Sequence, residues 1–289
     1  MAQQNAPLGE NASNPHRWEQ SDEIQYCLRS LHNHAPWLRT VWIVTHGEAP
    51  DLSGLPQALA AKVRIVPHAQ IFAGYETALP TFNSLSIESV MWRIDGLSER
   101  FLYFNDDVFL TAPLRVSDVF VGMHPVLRGQ WRDCTALAGN AAARDDPALF
   151  AHFVQMNAAA ICGFGPGRVF AAAHVVHPMR RSVMAALFDA HGDLFRRNVA
   201  HRFRDVSQFL PQGLHNHFCL SQDAAVIVQG KDHLHIKSGQ GAGGLGCDVA
   251  ALLSPDALTG MRFLCVNDLP QLEVLVPQAR ALILSAVGG

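Results

Sequence analysis

The spacing of apolar residues changes several times along the chain, and each change predicts an element. Ile24, Cys27, Leu28 and Leu31 recur at three- and four-residue intervals, behind Ser21 or Asp22 as a cap and ahead of Pro36. That spacing predicts a helix from Asp22 to about His34. Thr40 to Val44 is a run of β-branched and aromatic residues followed by Gly47 and Pro50, the signature of a buried strand. Val63 to Val66 reads as a second strand. A loop from Pro67 to Pro80 then leads to a helix over Ser84 to Arg93, with Ile87, Val90, Met91 and Ile94 inward. Phe101 to Phe104 reads as a third strand, ending in Asn105-Asp106-Asp107.

Farther along, Pro147 to Ala159 reads as helical, and the glycines from Gly163 to Gly167 break it. Pro178 suits the first turn of a helix reaching Ala190. Val206 to Val228 reads as helical with an interruption at Pro211-Gln212-Gly213. Gly239 to Gly246 holds five glycines and reads as a loop, and Arg262 to Val266 is a late strand ending in Asn267-Asp268. Strands alternating with helices imply an α/β arrangement with a largely parallel sheet and added helices. Ligands of such sheets sit at the carboxyl ends of strands, which is where Asn105-Asp106-Asp107 falls. Residues 1–20 read as a tail or loop, and residues 21–289 as one domain with neither internal repeat nor long linker.

Composition narrows the class. The 289 residues are 49% hydrophobic and only 16% charged, which excludes general disorder. No apolar run reaches the length of a membrane span. Lys and Arg total 22 against 25 Asp and Glu, so nothing favours nucleic acid as a partner. The six cysteines form no C-x-x-C pair and read as reduced. No signal peptide is visible. The expected place is the cytoplasm, with peripheral association at the inner membrane left open.

Four groups carry candidate chemistry. The acidic pair Asp106 and Asp107 after a buried strand is costly to leave unpaired, and Mg²⁺ or Mn²⁺ would neutralise it. Asn83 or Ser84 begins a helix whose N-terminus can bind an anion, and either can cap it or touch a phosphate or sugar hydroxyl; Glu88 lies one turn in. The plain alternative there is an ordinary cap with a dipole-stabilising Glu. Close histidine pairs, among them His215 with His217 and His233 with His235, lack zinc-site spacing and read mostly as core or surface residues. His174 stands out because it precedes Arg180-Arg181. Arg180, Arg181 and Arg202 read as a solvated face.

Taken in order, these segments resemble a known family. Asp22 to Ser30, Ala35 to Arg39, Ile43-Val44-Thr45, His68, Leu79 to Ser84, Ile87-Glu88, Gly96-Leu97-Ser98 and Phe101 to Val108 are similar to the second conserved region of the Stealth proteins. These include bacterial capsular-polysaccharide phosphotransferases and the catalytic part of animal N-acetylglucosamine-1-phosphotransferase. His174 with His177-Pro178-Met179, and His201 to Arg204, resemble the third region; Phe263 to Asp268 resembles the fourth. The resemblance implies a Rossmann-like nucleotide-sugar transferase sheet. It implies transfer of a sugar-1-phosphate from a UDP-sugar donor to a glycan acceptor hydroxyl, with UMP released, in capsule or other surface-polysaccharide synthesis. By motif match it places Ser84, Glu88, Asn105, Asp106, Asp107, His174 and Arg204 in the active site. Asp106 and Asp107 would hold the metal, Arg204 would stabilise the transferring phosphoryl group, and Ser84 and Asn105 would position the donor. His174, Glu88 or Asp107 would act as base.

The family's first region, a strand near its N-terminus, has no counterpart before Asp22. The expectation is a sheet lacking its first strand, in a chain truncated at its N-terminus. Rival readings are a metal-dependent glycosyltransferase releasing UDP, a non-catalytic sugar-nucleotide-binding protein and, more remotely, a zinc hydrolase.

Overall fold

The computed structural model describes residues 23–237 and 251–288. The predicted glycine-rich loop at Gly239 to Gly246 and the predicted tail lie outside the described residues. Helix α1 (Glu23–His34) comes first. The strands are β1 (Val41–Thr45), β2 (Val63–Pro67), β3 (Arg100–Tyr103), β4 (Val108–Leu110), β5 (Phe120–Val121) and β6 (His124–Leu127). They continue with β7 (Gly129–Arg132), β8 (Val169–Ala172), β9 (His177–Arg180), β10 (Val226–Ile227), β11 (His233–Lys237) and β12 (Phe263–Asn267).

The fold is mixed α/β, but the single, largely parallel sheet expected from the alternation is corrected. Among the described residues the strands form five small sheets. β1 pairs in parallel with β2, and β11 with β12. β3 pairs antiparallel with β9, and β4 antiparallel with β12. Only four residues separate β3 from β4, too few for the crossover a parallel neighbour needs.

Two helical expectations also change. Pro178 lies within β9, opposite Leu102, and the helix begins later, at Arg181–Ala190. A proline is tolerated in a strand whose N–H side needs no ladder bond. The stretch 206–228 is helical only over Pro211–Ser221, with Pro211 in its first turn, and β10 follows. The helix expected over Ser84 to Arg93 is α-helical over Ser84–Glu88, then a 3₁₀ turn over Met91–Arg93. Ser89 Oγ donates to the Leu85 carbonyl at 2.7 Å, competing with the helical backbone there.

The alternation of strand side chains divides the core. Phe263 and Cys265 of β12 join Val108, Leu110 and the α1 residues Leu28 and Leu31 in one cluster. Leu264 and Val266 point the other way, into a cluster with Cys27, Leu269, Leu272 and Ile283. Ser30 ties α1 to β4: its hydroxyl donates to the Cys27 carbonyl at 2.7 Å and accepts from the Leu110 amide at 3.0 Å. These contacts set Asn105-Asp106-Asp107, between β3 and β4, directly above α1. No helix among the described residues is long and apolar enough to cross a membrane.

Candidate active site

The loop carrying Arg204 is fastened by one buried amide. Asn83 caps the helix Ser84–Glu88, its Oδ1 accepting from the Leu85 amide at 3.1 Å. Its Nδ2 donates to the carbonyls of His201 (3.1 Å) and Phe203 (2.8 Å) and to Gln208 Oε1 (2.8 Å). Asn83 is fully buried. Its side chain is therefore spent inside the protein, and of the two sequence readings for it the cap is the one seen. Thus held, Arg204 donates from Nη2 to Ser84 Oγ at 2.8 Å.

Glu88 faces the same cleft from one helical turn on. It is buried, and Tyr103 donates to its Oε1 at 2.8 Å. Burial pushes the Glu88 carboxyl up from 4.5 to about 7, against opposing pulls from Tyr103, Arg204, His174 and Gln212. Such a group is half ionised near neutrality.

Asp107 is the centre of a chain of polar contacts. Its Oδ1 lies 3.3 Å from His174 Nε2. Asn267 donates from Nδ2 to its Oδ2, and His235 Nε2 hydrogen-bonds Asn267 Oδ1 in turn. The rings of His174 and His235 stack with centroids 5.4 Å apart. Burial lowers the His174 pKa, but the bond to Asp107 and the charges of Asp107 and Glu88 outweigh it and leave the value raised. Asp106 borders the cleft. Crowding by protein atoms, then the Asp107 charge, raise its pKa.

Asp107, His174 and Cys265 each present one ligand atom within 4.8 Å of the others. A carboxylate, an imidazole and a thiol are all donors that divalent cations accept. Asp106 is outside that group. The residues present therefore fit a divalent cation at Asp107.

Ser84, Glu88, Asn105, Asp106 and Arg204 line a cleft of about 1640 Å³ beside this group. On its rim Phe82, 45% exposed, stacks on Phe203 with centroids 5.9 Å apart. The Arg202 guanidinium lies 5.4 Å from the Phe82 ring centroid. Such a platform suits a flat or sugar ring.

The structure thus gathers Ser84, Glu88, Asn105, Asp106, Asp107, His174 and Arg204 around one region, with Asn83 behind it. Sequence reasoning missed His235, Phe82 and Phe203 as members. It noted Asn267 as a strand end and within the segment that resembles the family's fourth region, but not as a site residue; the Asn267-Asp268 turn after β12, matching Asn105-Asp106 after β3, was a further signal. Arg180 and Arg181 are spent on structure: Arg180 pairs with Glu99 at 3.1 Å and Arg181 donates to the Leu97 carbonyl. His215 and His217 are core acceptors. Their Nε2 atoms take the backbone N–H groups of Arg180 (2.9 Å) and Phe170 (3.0 Å). Burial lowers the His215 pKa to about 4, which keeps that ring neutral.

Fold and site together define an α/β protein with an acidic, histidine-containing centre at the ends of β3 and β12. Residues 17–125 match the Stealth protein CR2, conserved region 2. The chain thus carries the second conserved region of the Stealth family. It is 36% identical over 217 residues to an exopolysaccharide phosphotransferase of Streptomyces coelicolor, covering 73% of this chain and 35% of that protein. An exopolysaccharide phosphotransferase of Nocardia farcinica is 30% identical over 264 residues, covering 90% of this chain and 49% of the relative. The N-acetylglucosamine-1-phosphotransferase subunits alpha/beta of Mus musculus are 47% identical over 104 residues, covering 36% of this chain and 8% of theirs. The chain thus spans half or less of the length of these relatives.

Proposed function

We propose that this chain is the catalytic part of a sugar-1-phosphate transferase. It would take a nucleotide-sugar, expected to be a UDP-sugar, and an acceptor glycan hydroxyl in surface-polysaccharide synthesis. The observation that carries the reading is the joining of Asp107, His174 and Asn267 beside Arg204 and Ser84, in a chain similar to named exopolysaccharide phosphotransferases.

The acceptor oxygen attacks the sugar-bearing phosphorus. A new P–O bond forms, the bridging P–O bond to the nucleotide breaks, and UMP leaves with that electron pair. The acceptor proton needs a base. With Nε2–H donated to Asp107, His174 keeps Nδ1 as the accepting atom. Asp107, held by Asn267, fixes that tautomer and steadies the imidazolium once it forms. Arg204 is the group for the charge on the transferring phosphoryl oxygens, and Ser84 orients it. Asn105 and Ser84 border the donor's place, and the Phe82–Phe203 pair offers the base or sugar a flat face. Asp106 and Asp107 are the expected holders of Mg²⁺ or Mn²⁺, which when bound would neutralise the diphosphate.

The test is phosphorus NMR of a UDP-sugar panel incubated with the chain, acceptor oligosaccharides and Mg²⁺. UMP release that Asp107→Asn and His174→Ala abolish is expected. UDP release would replace the reading with glycosyl transfer, and donor binding without any product would replace it with a binding role.

A further inference from the structure

The cation donors around Asp107 are of two kinds. Asp106 and Asp107 offer carboxylate oxygens, the donors of a hard cation. Asp107, His174 and Cys265 offer a carboxylate, an imidazole and a thiol, each with one ligand atom within 4.8 Å of the others. The reaction proposed above makes no use of Cys265. Mg²⁺ does not account for it either, since that ion demands an octahedron of oxygen ligands. One oxygen, one nitrogen and one sulfur are the donors of zinc and of softer transition metals.

The backbone holds these groups together. Cys265 lies in β12 opposite Val108 of β4, and the Val266 amide donates to the Asp107 carbonyl at 3.0 Å. Asp107 and Cys265 are thereby fixed on adjoining hydrogen-bonded segments. Cys265 is also opposite His235 of β11, and strand alternation puts Asn267 on the same face. His235 bonds Asn267 across that face, and the His174 ring stacks on His235. His174 is thus brought to the face that Cys265 occupies. Cys265 is fully buried while the His174 side chain is 38% exposed, so the group has a closed end and an open one.

The spacing suits a small coordination sphere. Ligand atoms around a tetrahedral zinc lie about 3.4 to 3.6 Å apart, given bonds of about 2.0 to 2.3 Å. Asp107 Oδ1 and His174 Nε2 are already 3.3 Å apart. Side-chain movement of little more than about 1 Å closes the remaining separations. Asn267 donates to Asp107 Oδ2, which orients the carboxylate and leaves Oδ1 to the cation.

We infer that Asp107, His174 and Cys265 form a binding site for a thiophilic divalent cation, with Zn²⁺ and Co²⁺ as its probes. On binding, the Cys265 thiol releases its proton to solvent and the thiolate enters the coordination sphere. His174 gives Nε2 to the cation, so its ring proton moves to Nδ1, the atom the proposed reaction needs as acceptor. Asp107 Oδ1 is taken in the same event, so a loaded chain is an inhibited one. The site stands whatever the reaction is, and only this inhibition rests on the role given to His174 above.

Cobalt substitution tests the site. The chain without an affinity tag is titrated with Co²⁺ in the absence of oxygen, and its absorption is recorded. The expected result is an intense thiolate-to-cobalt band in the near ultraviolet, with visible bands of tetrahedral strength. A small excess of Zn²⁺ removes both, and a thousand-fold excess of Mg²⁺ does not. Cys265→Ala loses the near-ultraviolet band, and Cys27→Ala, the control thiol, keeps it. Asp107→Asn and His174→Ala each weaken cobalt binding at least ten-fold. Neither of those side chains is fully buried, so the two variants test the site even where Cys265→Ala does not fold. Four results would overturn the inference: no near-ultraviolet band, a band that survives in Cys265→Ala, displacement by Mg²⁺ as readily as by Zn²⁺, or unchanged cobalt affinity in Asp107→Asn and His174→Ala. A chain that shows the band but releases no UMP in Mg²⁺ alone keeps the site and counts against the reaction.

Discussion

The buried carboxyl of Glu88 makes a stability signature that can be read without knowing the substrate. Its pKa rises from 4.5 to about 7 on folding, because burial disfavours the charged form. Between those two values the folded state holds a proton that the unfolded state has released. Stability from this group is therefore complete below about pH 4.5 and is lost as pH climbs through 7. At roughly 1.4 kcal/mol per tenfold change in proton affinity, the loss amounts to about 3 kcal/mol by pH 8. Glu88→Gln keeps the shape and still accepts from Tyr103 through its amide oxygen, but carries no charge. Guanidinium denaturation of both proteins at pH 5, 6, 7 and 8 reads this contribution together with its coupling to His174, whose pKa the Glu88 charge helps to raise. The variant should match the wild type within about 1 kcal/mol at pH 5 and exceed it by about 3 kcal/mol at pH 8. Parallel stability curves across that range would refute a buried carboxyl of raised pKa at this position.

Asn83→Ala removes a helix cap and strands the carbonyls of His201 and Phe203, and should cost about 3 kcal/mol in chemical denaturation. It should also weaken donor binding in calorimetry, because the Arg204 loop loses its anchor. Asp232 binds Arg128 through three contacts of 2.8 to 3.0 Å, and Arg128 also lies over Phe263. Burial raises the Asp232 pKa, but the bonds from His233 and Arg128 and the charges of Arg128 and Arg262 outweigh it and hold the value well below the carboxylate range. Asp232→Asn should lower neutral-pH stability by about 3 kcal/mol and flatten the loss of stability on acidification, both read from denaturation curves. Asn267→Ala should leave the fold stable and reduce turnover at least ten-fold, with a shifted acidic limb of the pH–rate profile, since Asp107 then orients His174 alone.

Local pattern and distant pairing were unequally legible. The period-four spacing of Ile24, Cys27, Leu28 and Leu31 located α1 to within one residue, and the β-branched and aromatic runs located β1, β2 and β3 as closely, because local spacing is what sets which face is buried. Pro178 misled: its ring suits a helix start as well as an unpaired strand position, and only the pairing of His177–Arg180 with β3 decides between them. The sheet topology was illegible for the same reason, since β3 with β9 and β4 with β12 join residues far apart in sequence. The site divided along the same line. Asp106, Asp107, Ser84 and Glu88 announce themselves by their positions after a strand or at a helix start. His235 and Asn267 join them only through the parallel pairing of β11 with β12, in which Lys237 is opposite Asn267. Asn83 shows the limit of residue type as a guide: an amide that could bind a sugar is instead consumed by three acceptors of the protein itself.

The central claim is that phosphorus moves with the sugar. The most direct measurement follows ³²P placed in the sugar-bearing phosphate of a UDP-sugar, incubated with an acceptor glycan, Mg²⁺ and the chain. The account predicts label in the acceptor product and unlabelled UMP, both lost in Asp107→Asn. Label retained in UDP, with an unlabelled glycan product, would contradict it.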